Sequence, residues 1–100
     1  MSDEIRADYD RLEQVAAKFG SESQAIQQML QNVKGSMDPL ENGGWVGRGS
    51  EAFFSEMNGE VLPASERLRQ ALDEANSVTK RIIQVVKQAE DEASSPFRAG

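Results

Sequence analysis

A period of seven constrains this chain more than any other feature. Stepping by seven from Ile5 gives Ile5, Leu12, Phe19, Ile26 and Val33, and a column offset by four reads Tyr9, Ala16, Ser23, Leu30 and Met37. Only Ser23 interrupts the two columns before Asp38-Pro39. The second half repeats the pattern, with Phe54, Val61, Leu68, Ala75, Ile82 and Ala89 in one column. Met57, Ala64, Ala71, Val78 and Val85 form the other. Apolar residues alternating by four and three make the seam of a long helix packed on another helix. Sustained over many turns, a strict seven implies a gentle left-handed supercoil. Two long helices are expected, over roughly residues 3–37 and 50–93.

The expected boundaries have chemical reasons. Ser2 can cap the first helix, and Asp3 and Glu4 sit where the helix dipole favours anions. Pro39 pushes Asp38 away from helical torsions, so the first helix should stop near Met37 or Asp38. Asn42-Gly43-Gly44 and Gly47-Arg48-Gly49 bracket Trp45 in a turn, and Ser50 is the natural cap of the second helix. Gly20 weakens the first helix by about 1 kcal/mol relative to Ala. Pro63 crowds the carbonyl of Gly59, which predicts a kink near 59–63 with the sevenfold phase kept, or else a separate helix starting at Pro63. Ser94-Ser95-Pro96 would end a free helix, leaving a flexible tail over 94–100.

Two helices joined by a short loop form a thin antiparallel hairpin with a single seam, and small domains bury a poor fraction of their surface. Here the apolar stripes are wider than one seam requires. Val15 and Met29 extend the first helix's stripe, and Leu72, Ile83 and Val86 extend that of the second. The expected fold is therefore all-α, a single helical-hairpin domain that dimerises into an elongated four-helix bundle. The packing residues are Leu12, Phe19, Ile26, Leu30 and Val33 on the first helix. On the second they are Phe54, Met57, Leu68, Leu72, Val78, Ile82 and Val85.

Composition narrows the function. With 11 Lys plus Arg against 17 Asp plus Glu the net charge is −6, which repels nucleic acid and gives no basic face for an anionic membrane. The mean hydropathy of −0.59 also opposes stable membrane insertion, and no stretch approaches the roughly 20 apolar residues of a span. The start Met1-Ser2-Asp3-Glu4-Ile5 lacks the basic and apolar runs of a cleavable signal peptide. There is no His and no Cys, so the commonest general base, the thiolate nucleophile and the usual zinc ligands are missing. Neighbouring acids such as Asp73-Glu74 and Glu90-Asp91-Glu92 diverge around a helix and read as solvated charges. No phosphate-cradling glycine loop is present. No catalytic residue, cofactor or metal is expected.

At the Trp45-Val46-Gly47 turn, lying mid-chain between two patterned arms of a 100-residue chain, the sequence resembles the WXG100 family of early-secreted-antigenic-target-like proteins. Trp45 and Gly47 carry the motif, and the likeness covers the whole chain. It implies a small secreted substrate or adaptor of a type VII (ESX-like) secretion system. Such a protein is cytoplasmic before export and then extracellular, and it works as a homodimer or as a heterodimer with another family member. It also implies a C-terminal signal read by the system's secretion ATPase. Val86, Glu90, Ala93 and Phe97 fit the looser hydrophobic-and-acid spacing of that signal. The tyrosine form is absent, since the only Tyr is Tyr9. This departure points either to a variant signal or to export alongside a partner that carries the tyrosine. These four positions share one helical face, as a helix docking in an apolar groove requires. In the family the loop Trp of one subunit lies close to the tail signal of the other. From the residues alone, Trp45 also reads as a cap on the bundle end, over Leu40 and Phe53 or Phe54. An intracellular coiled-coil scaffold is the competing function, and a membrane-active effector is disfavoured by the charge.

Overall fold

The computed structural model describes the backbone of residues 8–99 and the side chains of residues 8–93. In order, α1 (Tyr9–Pro39) leads through a π-turn over Leu40–Gly44 to α2 (Arg48–Glu56), a second π-turn over Met57–Val61, and α3 (Leu62–Ala99). The chain doubles back at the bend into a hairpin rod of 79 × 18 × 17 Å.

Along α1 the covered residues are Tyr9, Leu12, Ala16, Phe19, Ser23, Ile26, Leu30, Val33 and Met37. These are the two sequence columns in unbroken alternation, all turned toward the second arm. Ser23 breaks their apolar character for a reason visible across the seam. It is 2% exposed, and its hydroxyl donates to the Arg69 carbonyl at 3.2 Å, which satisfies a polar group that burial would otherwise penalise. Gly20 is also explained by the approach of the helices, because a Cβ there would lie 2.9 Å from Asn76 Nδ2.

The helix ends differ from the expectation. Among the described residues Asp8 is the N-cap of α1, its carboxylate accepting from the Arg11 amide at 3.1 Å; Ser2, Asp3, Glu4 and Ile5 lie outside the described residues. At its other end α1 continues through Pro39, whose φ of −62° and ψ of −33° are helical. The ring fixes a φ that a helix already wants, and the missing donor costs a single bond at the last residue of the helix. Gly47, not Ser50, caps α2. Ser50 instead sits buried inside the first turn and donates to the Gly47 carbonyl at 2.7 Å. The backbone of α3 runs past Ser94-Ser95-Pro96 to Ala99, where a flexible tail was expected. A proline removes one bond from a long helix whose other turns are already formed.

The largest departure lies at Met57–Val61. The Leu62 amide returns five residues, to the Met57 carbonyl, so this turn holds one residue more than an α-turn. A wide turn just before Pro63 relieves the crowding that a regular turn would place between its ring and the Gly59 carbonyl. Helix continuity is kept, but the sevenfold phase is not. Before the turn, Phe54 and Met57 face α1 as the columns require. After it, the covered face moves on by one residue, to Leu62, Ser65, Arg69, Leu72, Asn76, Thr79, Ile83, Val86 and Glu90, with Ala75 and Val78 of the expected columns still half-buried beside it. One residue is about 100° of helix rotation. The surplus therefore changes sides. Leu72, Ile83 and Val86 pack inward, whereas Leu68, Ile82 and Val85 are 53%, 54% and 59% exposed.

Candidate functional site

Three regions of the rod bear on function: the bend, the seam near the free end of the hairpin, and the long apolar side.

The bend is built by glycine geometry. Gly43 and Gly47 adopt φ of 119° and 140°, which side-chain-bearing residues rarely reach. A Cβ on Gly44 would collide with the Pro39 carbonyl at 2.7 Å. Between these glycines Trp45 is extended (φ −144°, ψ 115°), and its amide donates to the Leu40 carbonyl at 3.1 Å. Its ring leans on Phe53 and Phe54, with centroids 5.5 and 5.9 Å away, and those two rings stand edge to face at 5.2 Å. The indole also passes close to Gly49, where a Cβ would meet Trp45 Cζ2 at an ordinary contact distance of 3.6 Å. Trp45 thus caps the aromatic pair while remaining 42% exposed, and Val46 beside it is 83% exposed. Asn58 ties the second π-turn to the first, its amide donating to Glu41 at 3.0 Å.

Near the other end of the seam, Tyr9 meets Glu90. The phenol donates to Glu90 Oε2, Lys87 Nζ lies 5.0 Å from the centre of the tyrosine ring, and Lys87 pairs with Glu13 at 3.5 Å. Partial burial, then the hydrogen bond to Glu90 and that carboxylate's charge, push the Tyr9 phenol up to about 12. The other Glu90 oxygen is buried without a hydrogen bond. Val86 is half-buried on the same face, and Ala93 is exposed beyond it. The Phe97 side chain lies outside the described ones. Two of the four tail positions singled out from the sequence therefore rest against α1. The sequence reading missed Tyr9 as their neighbour. A bend centred near residue 49 would have revealed it, because folding there brings residues 9 and 90 level.

The two sides of the seam differ in character. On one side Glu13 and Lys34 of α1 face Glu66, Lys80 and Lys87 of α3. Glu13, Lys80, Ile83, Gln84 and Lys87 line a shallow polar groove there. Arg69 clamps Glu66 from this side with contacts of 3.0 and 2.6 Å, and reaches Asp73 at 3.6 Å. The Arg69 hydrogen bond holds the Glu66 carboxyl below its usual range, and the same bond raises the guanidinium. Helical geometry leaves the apolar edges for the opposite side. These are Val15 and Met29 on α1, Val61 at the end of the second π-turn, and Leu68, Ile82 and Val85 on α3, all at least 41% exposed. An exposed apolar stripe of this kind is a candidate interaction surface.

No group of His, Cys, Asp or Glu that could hold a metal occurs among the described residues. None of their helices is long and apolar enough to cross a membrane. A family model described as WXG100, proteins of 100 residues with WXG, matches residues 4–91. No curated protein and no solved structure gives a match.

Proposed function

The chain belongs to the WXG100 family, and from that premise we propose that it is a small secreted substrate or adaptor of a type VII (ESX-like) secretion system. It is exported as a folded dimer and acts through protein–protein contact rather than chemistry of its own. The observation that carries this reading is the family match over residues 4–91, which spans the bend and nearly all of both arms. Two features support it. Trp45 and Gly47 shape a bend whose indole stays accessible, and the rod has an apolar side wide enough to receive another hairpin.

In this proposal the segment from Val86 through Glu90 and Ala93 to Phe97 is the part addressed by the secretion ATPase. Val86 and Glu90 rest on α1, Ala93 is exposed, and the α3 backbone continues to Ala99. The experiment is deletion of residues 86–100 in a cell that carries a type VII system, with secreted protein measured in culture medium and helix content by circular dichroism. Export should be lost while most helix remains. Unchanged secretion would overturn the tail's role. Retention of the intact protein inside unlysed cells would favour the scaffold function over export.

A further inference from the structure

The face that α3 turns toward α1 is less apolar than the face beside it. On the covered face, from Leu62 to Glu90, the apolar residues are Leu62, Leu72, Ile83 and Val86. Two polar atoms on that face, Asn76 Oδ1 and Glu90 Oε1, are buried without a hydrogen bond, and a buried acceptor left unmet costs stability. One residue back along the chain, the neighbouring face carries Val61, Leu68, Ile82 and Val85, all at least 41% exposed. The chain thus buries the poorer of two adjacent faces, and the π-turn over Met57–Val61 decides which one.

We propose that this turn is a switch: closing from a π-turn to an α-turn, it rolls α3 by one residue on α1 and exchanges the two faces. In the closed turn the Leu62 amide bonds the Asn58 carbonyl instead of that of Met57. Each seam position then passes to the residue before it, a roll of about 100° with an advance of about 1.5 Å. Leu68 takes the place of Arg69, Ala75 of Asn76, Val78 of Thr79 and Ala89 of Glu90, while Ile82 and Val85 replace Ile83 and Val86. The unmet amide and carboxylate reach solvent, and α1 itself covers the apolar stripe.

Both packings suit α1. The sevenfold columns run in phase across a closed turn, from Phe54 and Met57 through Val61 to Val85, so α1 needs no new surface to receive the rolled helix. Ser23 donates to the main-chain carbonyl of Arg69, an acceptor that Leu68 supplies after the roll. Gly20 lies so close to α3 that a Cβ there would sit 2.9 Å from the Asn76 amide, and Ala75 is smaller than Asn76. Two features hold the open turn. Pro63 crowds the Gly59 carbonyl in a regular helix, and the roll breaks the clasp of Tyr9 on Glu90 and of Lys87 on Glu13. Apolar burial on one side, with a proline and a clasp on the other, keeps two packings of one sequence within reach of each other. A lone chain can stow the stripe, and whatever covers it from outside draws the turn open. In the function proposed above that cover is the pairing partner, but the switch belongs to the single hairpin and is tested there.

The chain has no cysteine, so engineered pairs report the two faces. Ser23→Cys with Arg69→Cys reads the open turn, and Ser23→Cys with Leu68→Cys reads the closed one. Oxidation is mild and at high dilution, so that bridges form within one chain, and circular dichroism checks that each variant stays helical. Both bridges should form in the otherwise native chain. Adding Pro63→Ala should speed the 23–68 bridge at least tenfold relative to the 23–69 bridge, because the ring that opposes the closed turn is gone. Deleting Gly59 should abolish the 23–68 bridge and keep the other, because a regular turn then carries the present face. Absence of the 23–68 bridge from both the native and the Pro63→Ala backgrounds overturns the proposal. So does its persistence after Gly59 is deleted, which would mean that α3 rolls without the turn. None of these measurements involves export, so the secretion reading stands or falls by the deletion experiment above.

Discussion

The Tyr9 phenol donates a hydrogen bond to the Glu90 carboxylate, joining the first turn of α1 to α3 across 81 residues of chain. The contact fastens the arms where the hairpin would otherwise fray. Burial, then this bond and the Glu90 charge, raise the tyrosine's pKa from 10.0 to about 12, so the stability gained by the docked phenol is complete below pH 10 and is lost as pH rises toward about 12. Tyr9→Phe should therefore lower the melting temperature near neutral pH, and the gap to wild type should close near pH 12. The chain has one tyrosine, so an absorbance titration reads its ionisation directly. A normal tyrosine titration midpoint would contradict the contact.

Removing the cause of the π-turn should change which face is buried. Gly59→Ala with Pro63→Ala favours a regular helix through residues 57–63, by about 1 and about 3 kcal/mol on helix propensity. The columns would come back into phase, and Leu68, Ile82 and Val85 would rotate onto α1. The expected result is a higher melting temperature together with loss of self-association in sedimentation. Deleting Gly59 alone is the informative contrast. It removes the extra residue but keeps the present inward face, so association should persist.

The close approach at Gly20 predicts a graded response. Gly20→Ala meets only the end of the Asn76 amide, which can swing aside, and the gain in helix propensity offsets the shift. Gly20→Leu forces the helices apart and should cost about 1–3 kcal/mol, measured by urea denaturation. Equal stability of the two variants would show that the arms do not meet there.

Trp45→Ala should destabilise the hairpin by about 1–2 kcal/mol, in keeping with two aromatic contacts made by a ring that is only partly buried. Hydrogen exchange should speed up in α2 and hardly change near Tyr9. A uniform rise along both arms would instead mean that the bend organises the entire rod.

Much of this architecture was legible from residue spacing. The α1 columns map onto its covered face position for position, from Tyr9 to Met37, because nothing in that helix alters the turn. The bend was equally readable, since Gly43 and Gly47 hold torsions that other residues resist. The inward face of α3 was not. A period of seven is unchanged when one residue is inserted upstream, so Val61, Leu68 and Ile82 keep their spacing whichever way they point. Pro63 signalled a disturbance but not its size, which depends on how the backbone relieves the clash. At the candidate tail site, spacing identified Val86 and Glu90 as sharing a face. It was silent on Tyr9, which comes level with them only after the chain folds back.

The slender cross-section has a consequence for passage through confined spaces. A compact body of 100 residues has a radius of gyration of about 13 Å, whereas this rod reaches 22.5 Å by extending in one direction while staying 18 by 17 Å across. Presented end-on, it threads an aperture that would stop a sphere of equal mass, with every helical turn still in place. A companion laid alongside thickens it along one axis only, so the pair remains a narrow object that a channel admits by its girth and not by its length.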